Sequence, residues 1–476
     1  MTIAQILTPA VGFDDATGAH TIQLWDALQP RFEQINVYTY FAPGKLPGRI
    51  GPFVHQVDDE HRSQADLTIV QYPLWYPLAE RIRDMRGRKL FWYHGVTPPE
   101  LWSERHDREL LRNSQIRTAL AWHTHLAAVT SPYTGEELAA LSGLPDDRLR
   151  VVPLGLDPRR IAAAPDFVAL HALRDDLGLQ DRRVLLFIGR IAGNKRIDLL
   201  IDALAELRRA HDDFADVALL VVGDSSYNAA AQELDRQLRQ RVEAEDLVGQ
   251  VIFTGRVAEI SPYLHLADCV ILPSEHEGFG LPAVEAMAAG VPVITAAAGA
   301  LPWVLQAGTE TPAGLIFAPG DVGDLTRQIR RVLGDAGLRA DLIRNGHARA
   351  VALSQEAFAA NTLRLADEVM TMPEADTTFN ALVSWTLYPQ ADTMLRNYRI
   401  RSNAPYFAPR IEQVRRNLTS HLKEPYIDQV FERQVRYNRL LATEIEYLHA
   451  EMRRLEARMD KLQAGFRIAQ GEADHG

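Results

Sequence analysis

Cysteine occurs once in the 476 residues, at Cys269. A single thiol excludes an intramolecular disulfide framework and a multi-cysteine zinc site, and it fits a reducing compartment. Basic residues are outnumbered: 51 Lys and Arg against 62 Asp and Glu leave a formal charge of −11. Net acidity gives no support to nucleic-acid binding, so no nucleic-acid partner is expected. The opening stretch, MTIAQILTPAVGFDD, has no basic segment, so no secretory signal is expected either. Ala286 to Thr309 carries no charge, yet Gly290, Pro292, Gly299, Pro302 and Gly308 interrupt it. A membrane helix needs about 20 apolar residues without such breaks. The stretch reads instead as a helix end, a turn, a buried strand and a further turn.

Hydrophobic residues at 47% and charged residues at 24% are the composition of a globular protein. At about 150 residues per domain, the length predicts roughly three domains. Apolar runs bounded by turn residues predict buried strands at Ile3–Leu7, Ile35–Tyr40, Leu67–Gln71, Leu90–Tyr93, Leu126–Thr130 and Leu149–Leu154. A second series follows at Val184–Ile188, Val217–Val222, Val251–Phe253, Cys269–Leu272, Val291–Thr295 and Leu315–Phe317. Amphipathic stretches such as Thr21–Phe32, Arg108–Trp122, Ile197–Ala210 and Ala229–Ala244 lie between them. Strand–helix alternation predicts an α/β fold with parallel sheets, covered on both faces because the strands are apolar throughout.

The two series divide near Asp157–Asp175. The expected domains are residues 1–157, 158–370 and a helical extension, 371–476. Two doubly wound domains place a cleft between the carboxyl ends of their strands, where ligands of open α/β sheets bind. In the extension, Leu441, Ile445, Leu448, Met452, Leu455, Met459 and Leu462 alternate spacings of four and three. That is a heptad seam, preceded by Asn438 at an a position, and it predicts a coiled coil over about 438–462. The seam fits homo-oligomerisation or docking on the protein's own core.

The segment Ser274-Glu-His-Glu-Gly-Phe-Gly-Leu-Pro-Ala-Val-Glu285 follows one of the apolar runs and opens a helical pattern. Gly278 and Gly280 let backbone approach a ligand closely. A helix starting near Leu281 presents free N–H groups and a positive dipole end, which favour an anion such as phosphate. Glu277 and Glu285 are ionised acceptors suited to sugar hydroxyls. Gly278-x-Gly280-x-x-Ala283 also fits a dinucleotide fingerprint loosely, but no acid follows some 20 residues on. A second segment, Gly189-Arg190 through Lys195, leaves another strand. Arg190 can grip phosphate oxygens and Lys195 can act as a mobile point charge. His94 stands at a strand end before a glycine turn, where a cleft residue or a structural one fits equally. Gly12 and Gly18, expected in the loop after the first strand, form a second close-approach turn.

Together these segments resemble the retaining glycosyltransferases of family 4, with the two-domain GT-B fold, over residues 1–370. Glu277 and Glu285 look like that family's E-x7-E motif, with Gly278, Phe279, Gly280 and Leu281 at the donor. Arg190 and Lys195 look like its diphosphate pair, and His94 like its first-domain histidine at the donor sugar. Gly12 and Gly18 are similar to its glycine loop, although the adjacent glycine pair is missing. Arg256 and Val257 match the place where the family meets the nucleobase.

The resemblance implies transfer of a hexose-type sugar, with retention, from a UDP- or GDP-sugar to a hydroxyl acceptor. That acceptor is expected to be a glycan or lipid-linked glycan of cell-surface glycan or glycolipid synthesis. The expected location is cytoplasmic, with peripheral contact at the inner membrane face in view. No Asp-x-Asp triplet occurs, which fits a site needing no metal and no cofactor beyond the donor. The rival readings are a nicotinamide-dependent enzyme using Gly278–Ala283 and a non-catalytic scaffold acting through its tail.

Overall fold

The computed structural model describes residues 2–374 except 13–15, 59–60, 62, 103–104, 157–160, 162–165 and 211; beyond 374 it describes only Gln434 and Met459. The seam expected over 438–462 lies outside the described residues, save the exposed Met459.

The first domain holds a seven-stranded sheet. Its strands are β1 (Ile3–Thr8), β2 (Gln34–Thr39), β3 (Val54–Gln56), β4 (Leu67–Tyr72), β5 (Arg88–Tyr93), β6 (Leu126–Val129) and β7 (Leu149–Val151). The order is β3-β2-β1-β4-β5-β6-β7 and every pairing is parallel. The second domain holds a six-stranded sheet of β8 (Arg183–Ile188), β9 (Val217–Val222), β10 (Val251–Gly255), β11 (Cys269–Leu272), β12 (Val293–Ala296) and β13 (Leu315–Phe317). Its order, β10-β9-β8-β11-β12-β13, is again wholly parallel. Both sheets reverse direction of growth once, beside β1 and β8, and such a switch point opens a crevice at the strand ends.

Helices cover both faces, which is why β4 and β9 are buried at every position. In the first domain these include α1 (Ala16–Leu28), α2 (Arg105–Ile116) and α3 (Pro132–Ser142). In the second, α4 (Phe167–Asp176), α5 (Ile197–Ala210), α6 (Ala229–Ala244), α7 (Ser261–Leu266), α8 (Leu281–Ala288) and α9 (Leu301–Val304) precede α10 (Val322–Gly334) and α11 (Ala336–Ala352). A last helix, α12 (Gln355–Thr371), returns to the first domain. Phe358, Leu365, Ala366 and Val369 of α12 are buried against Ile22, Leu28 and Trp92 of the first core. Arg31–Asp367 at 2.8 Å and Arg150 on Glu368 pin its flank. Truncating a fully buried Phe358 would cost about 3–5 kcal/mol, so this crossing helix is part of the first domain's core. By position in the sequence it belongs to the expected second domain, 158–370. The chain thus passes between domains twice, and the passes touch where Leu156 exchanges backbone bonds with Leu353 and Gln355.

One expectation needs correction here. Gly18 is not in a loop: it is buried in the first turns of α1, which begins at Ala16, five residues before the expected start. Strand β3 has no expectation behind it, because a three-residue edge strand with two exposed positions carries no apolar run. The uncharged segment 286–309 becomes the end of α8, β12 and the short α9. No helix among the described residues is long and apolar enough to cross a membrane.

Candidate functional site

The site forms where two loops of the second domain meet the strand ends of the first. One loop leaves β8 through Gly189, which has φ of 157°. The other leaves β11 and enters α8 through Gly280, whose φ of 91° is left-handed and suits glycine. Arg196 and Asn194 stitch the loops together: Arg196 Nη1 donates to Glu275 Oε1 at 2.7 Å and the Glu275 N–H to the Asn194 carbonyl at 2.8 Å. Arg196 also grips Asp198 through Nε and Nη2.

This stitching brings Lys195 and Glu277 together. Lys195 Nζ lies 2.5 Å from Glu277 Oε1, with side chains 18% and 15% exposed. Buried Ser274 donates its hydroxyl to the same oxygen at 2.9 Å. Lys195 is therefore held in place rather than mobile, and Glu277 is oriented before any ligand arrives. Arg190 is exposed and makes no ion pair among the described residues; its guanidinium lies 5.4 Å from the Tyr227 ring centroid. The Tyr227 hydroxyl donates to the Ile191 carbonyl at 2.8 Å, which fixes that ring. A cavity of about 300 Å³ opens alongside, where Leu101 and Trp102 of the first domain face Ile191, Tyr227 and Leu234 of the second.

The carboxyl of Glu285, one turn into α8, has no hydrogen-bond partner among the described residues. It keeps a partly exposed edge, but the protein packed around it pushes its carboxyl up to about 7. Phe279 is buried, its ring 6.4 Å from that of Trp303, so only its backbone can meet a ligand. Leu281 is the first residue of α8 and Pro282 follows it. Arg256 is exposed just past β10, and Val257 packs partly into the second domain's core. Gly12, with φ of 147°, lies against Gly44, and the neighbouring residues 13–15 are outside those described.

The first domain supplies His94 at the end of β5. Its Nε2 and Nδ1 of His20, from α1, both meet Gln71 Oε1 at the end of β4, at 3.0 and 2.8 Å. Burial lowers the His94 pKa well below the ordinary value, helped by His20, whose own pKa falls to about 4 for the same reason. Both rings are therefore neutral at physiological pH. The second domain docks directly beneath. Thr130 and Ser131 hydroxyls donate to the Gly278 carbonyl at 3.1 and 3.2 Å. Glu137 of α3 meets His276 Nε2 at 3.2 Å and accepts from the Tyr93 hydroxyl at 2.7 Å.

The structure thus brings together His94, Lys195, Glu277, Gly278 and Gly280, while Arg190 lies over Tyr227 and Glu285 sits within α8. It adds Gln71, His20, Glu137, His276, Thr130 and Ser131, which the sequence did not mark. Gln71 carried one signal: a buried amide closing an otherwise apolar strand. Among the described residues no three His, Cys, Asp or Glu side chains group to hold a metal ion.

Residues 7–160 match the family model described as Glycosyltransferase Family 4, and residues 171–349 the one described as Glycosyl transferases group 1. The 2-deoxystreptamine glucosyltransferase of Streptomyces kanamyceticus is 37% identical over 204 residues, 42% of this chain and 49% of that protein. The chain spans about half the length of the curated relatives it matches. Sucrose-phosphate synthase from Thermosynechococcus elongatus is similar in structure, with TM-score 0.61 at 21% identity, over 78% of this chain and 99% of that one. Anabaena HepE in complex with UDP and glucose gives TM-score 0.61 at 20% identity, over 77% of this chain and 100% of that one. This chain has the GT-B fold, and each of its two domains is similar to one of these two glycosyltransferase families.

Proposed function

We propose that this protein is a retaining glycosyltransferase that moves a hexose-type sugar from a UDP- or GDP-sugar to a hydroxyl of a glycan or lipid-linked glycan. The observation that carries the reading is the Lys195–Glu277 pair, which lies at the mouth of α8 on the loop that packs beneath His94 of the other domain. A cation, a helix N-terminus and a carboxylate converge on one point of the cleft. That is the donor set a diphosphate and its attached sugar require. The similarity to a protein bound to UDP and glucose supports the same ligand class.

In the reaction, the bond from the anomeric carbon to the leaving phosphate oxygen breaks, and a bond to the acceptor oxygen forms on the same face. The acceptor proton passes to the leaving phosphate. Arg190, Lys195 and the α8 N–H groups stabilise the charge that develops on the diphosphate, without reorganising as it forms. Glu277 holds sugar hydroxyls, Glu285 the ribose, and the loop at Arg256 and Val257 borders the base. Neutral His94 offers a polar nitrogen to the sugar without adding charge that would oppose the electron-poor anomeric carbon. No resident metal or cofactor is part of this reading.

The nicotinamide alternative is less well supported. A dinucleotide fingerprint belongs to the first strand–helix turn of a doubly wound sheet, whereas Gly278 follows β11, beyond the switch point. The test is a panel of UDP- and GDP-sugars with glycan and lipid-linked acceptors, read by product mass. A hexose added from one donor supports the reading. Binding of reduced nicotinamide, with no binding of UDP or GDP, would overturn it.

A further inference from the structure

Hydrogen-bond polarity fixes the protonation of the site histidine through a chain of four residues. The chain starts at the Thr17 carbonyl, which can only accept. The Thr21 hydroxyl lies 2.9 Å from it and so gives its one proton there. Thr21 Oγ1 must then accept from Gln71 Nε2, 2.6 Å away. The other nearby hydroxyl, Thr8, lies 3.2 Å from Thr21 and donates to the Ala10 carbonyl at 2.8 Å, so it leaves this direction unchanged. With its NH2 group committed to Thr21, Gln71 can turn only its oxygen toward the imidazoles. An amide oxygen has two lone pairs and no proton, so both rings must donate: His20 through Nδ1 and His94 through Nε2.

We infer that Gln71 is a positioning residue that holds His94 as the neutral Nε2–H tautomer and thereby makes its Nδ1 a hydrogen-bond acceptor for a ligand hydroxyl. Gln71 is fully buried, so water cannot replace it as the acceptor. His94 Nδ1 has no hydrogen-bond partner among the described residues and is not among the buried unsatisfied atoms, and the ring keeps a partly exposed edge. His20 plays the opposite part. Its Nε2 is buried without a partner, with Trp92, His94 and Phe358 around the ring at 4.8 to 5.2 Å. It therefore fills the second lone pair of Gln71 and walls His94 from behind. The device links the start of α1, through β4, to the end of β5.

The inference rests on the reading of His94 as a donor-sugar residue for its consequence, but not for its chemistry. The experiment separates the two. The full chain is labelled with [15N]histidine, and the His94 signals are identified by their loss in His94→Asn. Nitrogen shifts report which ring nitrogen carries the proton. The expected result is a protonated Nε2 and a bare Nδ1. Thr21→Val removes the acceptor that orients Gln71, so the amide can turn over and the His94 tautomer should become mixed, in a side chain of nearly unchanged shape. Gln71→Glu places a carboxylate beside both rings and should convert His94 to the cation, with both nitrogens protonated. In that variant kcat should fall about tenfold or more, with donor KM changing less. A bare Nε2 in the parent protein, or an unchanged tautomer in both Thr21→Val and Gln71→Glu, overturns the inference. Should the tautomers respond as stated while His94→Asn transfers sugar at the parent rate, the Gln71 assignment stands and the role of His94 in transfer falls.

Discussion

The backbone of His94 and that of Gly278 touch across the domain boundary: a Cβ on Gly278 would fall inside contact distance of the His94 carbonyl oxygen. Gly95 continues the contact, its own Cβ position 3.4 Å from the Gly278 Cα. Two strand-end loops from different domains therefore meet without side chains between them, and the neighbouring Lys195–Glu277 pair is set at a fixed distance from the first domain. The glycine at 278 is required by space, not by a left-handed φ.

This contact predicts the effect of Gly278→Ala. The methyl group has only rigid backbone to meet, so the loop or the domain spacing must shift. A displacement of that kind near reacting groups should lower kcat/KM by about 10²-fold, while each domain keeps its own core. Steady-state kinetics and a melting curve check this: a lower melting temperature with normal turnover would contradict it.

Arg190 and Lys195 differ in their surroundings and should differ in effect. Either change to Ala should reduce kcat/KM by about 10²-fold or more, as when one preorganised donor is lost. Lys195→Ala also leaves Glu277 without its cation, so it should weaken donor binding more than Arg190→Ala does. Full activity in the double variant would remove the diphosphate assignment.

Glu285 predicts a pH dependence. Its carboxyl moves from an ordinary 4.5 to about 7 in the folded protein. At low pH it is protonated in both the folded and the unfolded chain. As pH rises through this window the unfolded chain ionises first, so folding stability is lost and levels off above about 7. Glu285→Gln cannot ionise, so its melting temperature relative to the parent should rise from about pH 5 to about pH 8. Donor KM of the parent should fall over the same range if Glu285 holds the donor ribose as proposed, because an ionised carboxylate can accept two hydroxyls. A parallel pair of melting curves would show that Glu285 does not titrate there.

Turnover should survive saturating EDTA, since in the proposed reading Arg190, Lys195 and the α8 N–H groups stabilise the leaving diphosphate without a metal. Activity lost to EDTA and restored by Mg²⁺ or Mn²⁺ would assign that work to a metal instead.

The heptad seam of residues 438–462 predicts self-association. Leu448→Asp with Leu455→Asp buries charge in the seam and should dissociate the oligomer in light scattering, while donor binding stays nearly intact. A full-length chain that is already monomeric at high micromolar concentration would end this reading.

The sequence by itself determined the parts that depend on local pattern. All twelve expected strands form, because apolar runs such as Val217–Val222 have no other way to bury both faces. The loop from Ser274 to Glu285 was legible because glycine, proline and acid act within a few residues of one another. The tertiary structure decided what depends on direction and on distant neighbours. Spacing could not show that α12 closes the first core rather than the second, since its apolar face fits either. Nor could it pair Lys195 with Glu277, 82 positions away, or bring Glu137 to His276 across the cleft. Gln71 is the clearest case: one buried amide in an apolar strand reads as an exception until α1 and β5 bring Thr21, His20 and His94 to it. Only then does the order of donors and acceptors have a single solution, because a hydrogen bond's direction is set by every partner in the chain and not by any residue alone.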